Sequence, residues 1–183
     1  MKETLTRTSI LVLTLGALAA CSTTNEEVEA VPEAVVAIAP EALDEMLQEA
    51  DAVFQLGDWE AAAEAYREIT AVDPGNALAW HHLGYALHAD GELESALEAH
   101  ERAAGCGGDF GAVGAYNAAC VYSLWEKSDL AFEWLERSLE AGFVNLDALD
   151  NDPDFDNIRD DPRFEQLFAL AEEKADSYEA QPR

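Results

Sequence analysis

Residues 77–103 read ALAWHHLGYALHADGELESALEAHERA, and two helices with a turn between them are written in that stretch. Alanine, the strongest helix former, and leucine dominate both arms, and Gly91 punctuates the middle. Upstream, Asp73-Pro74-Gly75-Asn76 ends one helix and launches the next. Moving the frame back by thirty-four residues carries Ala77 to Leu43, Gly84 to Ala50, Gly91 to Gly57, Ala96 to Ala62 and His100 to Tyr66; Ile69 follows and Pro74 closes that unit. A third copy starts one residue late at Ala112 and aligns Ala115, Ala119, Tyr122, Ala131, Leu135 and Ser138. A fixed period of this length means helix pairs that cannot hide their apolar faces alone and must stack. Within each pair, Gly or Ala at two facing positions lets the backbones approach, which accounts for Ala50/Ala62, Gly84/Ala96 and Ala119/Ala131. Phe54, Tyr66, Trp80 and Tyr122 are then expected to fill the space between helices and units, with Leu83 and Ala103 in the core.

Trp80-x2-Leu83-Gly84-x2-Leu87, followed by Ala96, His100 and Ala103, resembles the tetratricopeptide (TPR) signature. That resemblance implies an all-α, right-handed superhelical solenoid of about three helix-turn-helix repeats, over 41–75, 76–110 and 111–143. Two departures stand out. Gly105-Cys106-Gly107-Gly108 replaces the proline expected between the second and third units, which predicts a looser junction there. His100 occupies an aromatic position and is expected to pack, partly buried, as an aromatic would.

Beyond Gly142-Phe143 the pattern changes. Tyr116-Asn117-Ala118-Ala119-Cys120, Trp134-Leu135-Glu136 and the stretch DNDPDFDNIRDDPRF (150–164) together resemble the end-of-group unit that closes many bacterial TPR arrays. A solenoid's last repeat exposes an apolar flank that a terminal element must cover. Residues 144–178 are read as that element, with Phe155, Ile158, Phe164, Leu167, Phe168 and Leu170 as the cover and 179–183 as a disordered tail. Asp161-Pro162 has the form of a helix start.

At the other end, Lys2 and Arg7 precede the apolar run Ile10–Ala20, which is too short for a permanent membrane span. Leu18-Ala19-Ala20-Cys21 resembles a bacterial lipobox. By that resemblance 1–20 is a lipoprotein signal peptide, Cys21 carries the lipid, and Ser22 directs the protein to the outer membrane, facing the periplasm, or to the cell membrane in a source with one membrane. Residues 21–40 read as the lipidated cysteine and a flexible linker with Pro32 and Pro40; the nineteen residues after Cys21 span roughly 25 Å as a coil.

Thirty-eight acidic residues against ten Lys and Arg give a net charge of −28. Such a field excludes nucleic acid as a partner and repels anionic headgroups. The acids are scattered along every helix, the pattern of a solvated face, and a lysine-poor acidic surface also suits salty surroundings.

A search for chemistry finds no catalytic set: no H-E-x-x-H, G-x-S-x-G, P-loop or paired CxxC. Asp150, Asp152, Asp154 and Asp156 alternate as calcium ligands do, but Phe155 stands where an EF-hand needs glycine and Pro153 intrudes, so turn and cap roles are expected. His81, Tyr85 and His88 share a helix face; the two histidines are about 10.5 Å apart along the axis, too far to chelate one ion directly. Cys106 and Cys120 are expected as separate thiols. The reading is a non-enzyme without metal or cofactor.

By the TPR resemblance the inner groove binds a protein segment. The groove positions are Leu47, Asp51 and Gln55 in the first unit, His81, Tyr85 and His88 in the second, and Tyr116, Asn117, Cys120 and Ser123 in the third. Chaperone-binding TPRs clamp a terminal carboxylate with Lys, Arg and Asn; only Asn117 matches, so an extended or basic segment of another envelope protein is the expected partner. The expected role is a membrane-anchored scaffold or adaptor. The competing reading is an accessory subunit of an envelope enzyme system, or a metal-dependent enzyme, using the His81/Tyr85/His88 face. Self-association, and hence oligomeric state, stays open.

Overall fold

The structure, a computed structural model, describes residues 38–179; the leader, Cys21 and most of the linker lie outside them. The described residues form α1 (Pro40–Gln55), α2 (Trp59–Val72), α3 (Ala77–Ala89), α4 (Leu93–Cys106), α5 (Gly108–Leu124), α6 (Ser128–Glu140), α7 (Leu146–Asn151), a 3-10 turn (Pro153–Phe155) and α8 (Pro162–Glu179), with no strand among them. None of these helices is long and apolar enough to cross a membrane. From α1 to α6 consecutive helices pack on one another, α8 packs on α6 and α7, and the first helices of the three pairs, α1, α3 and α5, adjoin along one side, the inner face.

Local chemistry sets the boundaries. Asp58 and Asn76 cap α2 and α3 by accepting from the backbone N–H of Ala61 and Ala79 at 3.3 and 3.0 Å. The turn inside each pair needs one left-handed residue: Gly57 and Gly91 supply it at φ 74° and 84°, whereas the third pair uses Glu126 at φ 57°. The glycine-rich junction is shorter than expected, not looser. Helix α4 continues to Cys106 and α5 starts at Gly108, with Gly107 alone between them at φ 75°. Gly114 tightens this corner further: a Cβ there would lie 2.8 Å from the Ala104 amide nitrogen and the His100 carbonyl oxygen.

Two apolar clusters make the core. The first, from α1 to α4, contains Ala50, Ala62, Tyr66, Ile69, Ala79, Leu83, Leu87 and Ala96, all buried. Trp80 packs at its edge, half-buried, with its indole N–H donating to the Pro74 carbonyl at 2.8 Å. The second joins α5 and α6 to the C-terminal elements through Ala119, Ala131, Leu135, Leu139, Leu149, Phe155, Ile158, Phe164 and Leu167. Ala103 is fully buried at the α4–α5 contact. Leu170 is 41% exposed and does not join the cover. The buried stripe of α8 runs Phe164, Leu167, Ala171, with Phe168 partly buried beside it, and Leu170 falls just off its edge. Asp161 caps α8, accepting from the Arg163 backbone N–H at 2.9 Å.

Gly84 is buried, but the group that demands glycine there is the His100 ring, one turn beyond Ala96. A Cβ on Gly84 would lie 2.4 Å from His100 Nδ1 and 2.6 Å from Cε1. His100 is wholly buried, not partly, and neither ring nitrogen has a hydrogen-bond partner. Burial pushes its pKa down to about 3, so the ring is a neutral core element.

Candidate functional site

The inner face divides into an open half and a closed half. In the open half, Phe54, Trp59 and Tyr85 meet ring to ring, with centroids 5.3 to 5.7 Å apart. Tyr85 is 47% exposed, Gln55 is exposed, and Leu47 is half-buried against the first core cluster. Asp51 is less free than its groove position implies: it accepts the Tyr66 hydroxyl and lies 3.6 Å from His82 Nδ1, which in turn is 2.8 Å from that same hydroxyl. His82 also stacks on Phe54 at 4.7 Å. Sequence reasoning passed over His82 because its neighbour His81 holds the groove position. Burial raises the Tyr66 phenol and lowers His82, so this small network sits neutral apart from the carboxylate.

The third unit does not face the groove as expected. Tyr116 is buried, stacks on Phe143 at 4.3 Å, meets Phe155 edge-on and donates its hydroxyl to Asp152 Oδ2 at 2.7 Å. Cys120 and Ser123 are buried too, and the Ser123 carbonyl accepts from Asn157 Nδ2 at 3.1 Å. The reason is the path of the C-terminal segment: after α7 the chain turns at Asp152-Pro153 and lays residues 152–157 across α5. The arginine of that segment, Arg159, fixes the turn by donating to the Asp152 carbonyl at 2.7 Å, near the C-terminal end of α7. Of the third-unit candidates Asn117 and the buried Cys120 still line a cavity.

That cavity, about 300 Å³, lies where the closing segment meets α3 and α5, and is lined by Tyr85, His88, Ala89, His100, Asn117, Cys120, Asp152, Pro153 and Asp154. His88 Nε2 is 3.3 Å from Asp154 Oδ2. Cys120 is a free buried thiol whose Sγ donates to Asp152 Oδ2 over 3.7 Å. Burial, reinforced by the Asp152 carboxylate, raises the Cys120 thiol well above its ordinary value; burial and its neighbours do the same to the Tyr116 phenol. His81 does not join His88 here. Its ring packs between His82 and Phe110 at centroid distances of 5.2 and 5.6 Å, and burial lowers its pKa to about 4. Of the three groove residues of α3, Tyr85 and His88 share the wall of this cavity while His81 packs apart from it, so the three do not converge on one ligand. Cys120, Asp152 and Asp154 do converge, their ligand atoms all within 4.8 Å of one another. Thirty-two residues separate Cys120 from Asp152, and no local spacing in the sequence announces that meeting.

Residues 47–109 match the tetratricopeptide-repeat family model. No curated protein is significantly similar to the chain in sequence. Among solved structures, a crystal structure of MamA superposes with a TM-score of 0.59 at 21% identity, covering 78% of this chain and 83% of that one. A chain of the CopN–Scc3 complex gives 0.56 at 18% identity, covering 85% and 79%. The TPR2AB domain–pHSP90 complex of yeast Sti1 gives 0.53 at 21%, covering 74% of this chain and 48% of that one. The described chain is thus a TPR-type right-handed superhelical solenoid: three helix-turn-helix units followed by capping helices, with a tetratricopeptide-repeat match across the first two units.

Proposed function

We propose that this chain is a lipid-anchored scaffold or adaptor of the bacterial envelope, tethered through Cys21 and holding a segment of another protein on the open half of its inner face. The observation that carries the reading is the ledge of Tyr85, Phe54 and Trp59 beside Asp51 and Gln55. It presents exposed aromatic surface on the inner side of a solenoid whose other groove half is sealed by its own C-terminus. Aromatic surface rimmed by acids suits an extended segment with apolar and basic residues. In this reading 1–20 is a signal peptide, 21–40 a linker that sets the working distance from the membrane, and 144–178 an end-of-group closing unit. Two of the structural neighbours, the CopN–Scc3 complex and the TPR2AB-domain–pHSP90 complex of yeast Sti1, are complexes, which supports a binding role as the class of function.

A photo-crosslinking residue placed at Tyr85, in cells making the full chain, is expected to trap a discrete partner. The same residue at Glu68, exposed on α2, is expected to trap none. Equal yields from both positions would remove the inner face from the reading. Replacement Cys21→Ala is expected to abolish acyl-chain incorporation and membrane retention; retention without lipid would remove the anchor.

A further inference from the structure

We propose that the cleft between α3, α5 and the closing segment is a binding site for one borderline-soft divalent cation of the zinc type, held by Cys120, Asp152, Asp154 and His88. The carboxylates alone would not make a site. What distinguishes this cleft is a thiol and an imidazole lining the same cavity, each in contact with one of its two carboxylates. It also has a wholly buried histidine, His100, lining it with both ring nitrogens unpartnered.

Two contacts already stand at ligand spacing before any ion is considered. Tetrahedral zinc binds N and O ligands at about 2.0–2.2 Å and S at about 2.3 Å, so neighbouring ligand atoms stand roughly 3.3–3.7 Å apart. His88 Nε2 to Asp154 Oδ2 is 3.3 Å and Cys120 Sγ to Asp152 Oδ2 is 3.7 Å, two edges of such a tetrahedron. The Cys120, Asp152 and Asp154 ligand atoms lie within 4.8 Å of one another; His88 touches Asp154 but stands outside that triad, so closing the site needs the half-buried Asp154 and His88 side chains to swing together toward the Cys120–Asp152 pair. Outer partners are already in place: Tyr116 donates to Asp152 at 2.7 Å and the Asp154 backbone N–H donates to its other oxygen at 3.0 Å. A thiolate donor with only two carboxylates disfavours calcium and magnesium, which take shells of oxygen, and favours zinc, cobalt or nickel. On binding, the Cys120 S–H bond breaks, its proton leaves to solvent and the sulfur lone pair goes to the ion; no redox change occurs. Four protein ligands make a closed, structural site, which would pin α3, α5 and the closing segment to one point.

The test uses the purified full chain, stripped with a chelator and titrated with Co²⁺. One equivalent is expected to bind with an intense near-ultraviolet sulfur-to-cobalt band and tetrahedral visible bands, both erased by Zn²⁺. Cys120→Ser should lose the sulfur band. Asp154→Asn and His88→Gln should each weaken binding about tenfold or more, while Asp147→Asn, exposed on α7, should not. Circular dichroism checks each fold; if Cys120→Ser fails to fold, the half-buried Asp154 and His88 variants decide. Absence of a sulfur band, or equal affinity in Asp154→Asn and Asp147→Asn, would overturn the site and leave the proposed adaptor role untouched.

Discussion

Gly84→Ala separates this packing from an ordinary helix pair. On an exposed helix the substitution stabilises by about 1 kcal/mol, because alanine loses less backbone freedom. Here the new methyl would enter the His100 ring, 2.4 Å from Nδ1, 2.6 Å from Cε1 and 3.1 Å from Cγ. His100 is wholly buried on α4, so the ring has no solvent to retreat into. Overpacking of this kind costs about 1–3 kcal/mol. Set against the propensity gain, the expected net is a loss of up to about 2 kcal/mol. The decisive comparison is a double-mutant cycle with His100→Ala, read by urea unfolding of a fragment starting at residue 38. With the ring gone the clash disappears and only the propensity gain remains, so Gly84→Ala should become neutral or stabilising. The expected coupling is about 1–3 kcal/mol. Stabilisation by Gly84→Ala in the parent protein, or the same effect in both backgrounds, would refute the reasoning.

Glu126→Gly should stabilise by about 1 kcal/mol, since the third turn holds a residue with a Cβ at φ 57° where the other two use glycine; a loss of stability would mean the Glu126 side chain is needed. Trp80→Ala should cost about 2–3 kcal/mol, the lower part of the range for large-to-small core changes, because the ring is only half-buried and gives up one hydrogen bond to Pro74. A change below about 1 kcal/mol would place the ring outside the core. His100 takes a proton near pH 6.5 when unfolded but only near 3 when folded. The unfolded chain therefore binds the extra proton between those values, so stability is full above about 6.5 and falls as pH drops toward 3, by up to about 1.4 kcal/mol per pH unit. His100→Phe should flatten that slope between pH 5 and 6.5, and an unchanged slope would assign it elsewhere.

The helix pairs were legible because their determinants are local and periodic. Asp73-Pro74-Gly75-Asn76 breaks a helix wherever it stands, and Ala50, Gly84 and Ala119 recur at spacings of thirty-four and thirty-five residues. The inner face was legible only in part, because the fate of a groove position depends on what lies across it. Tyr116 and Ser123 carry the same register as Leu47 and His88, yet residues 152–157 return from more than thirty positions away to cover them. The alternating aspartates read locally as turn formers, and Asp152 and Asp161 do cap; the partners of Asp152 on α5, and of Asp154 on α3, come from tertiary path alone. At the glycine-rich junction, Gly107 at positive φ lets one residue do what the proline-containing loop does earlier in the chain.

Side-chain footprinting of the native protein by hydroxyl radicals tests the division of the inner face most directly, since two tyrosines on adjacent helices report its two halves. Tyr85, 47% exposed, should be oxidised readily, and Tyr116, 4% exposed beneath the closing segment, should be protected until the protein unfolds. Oxidation of Tyr116 as fast as Tyr85 in the folded protein would contradict the account.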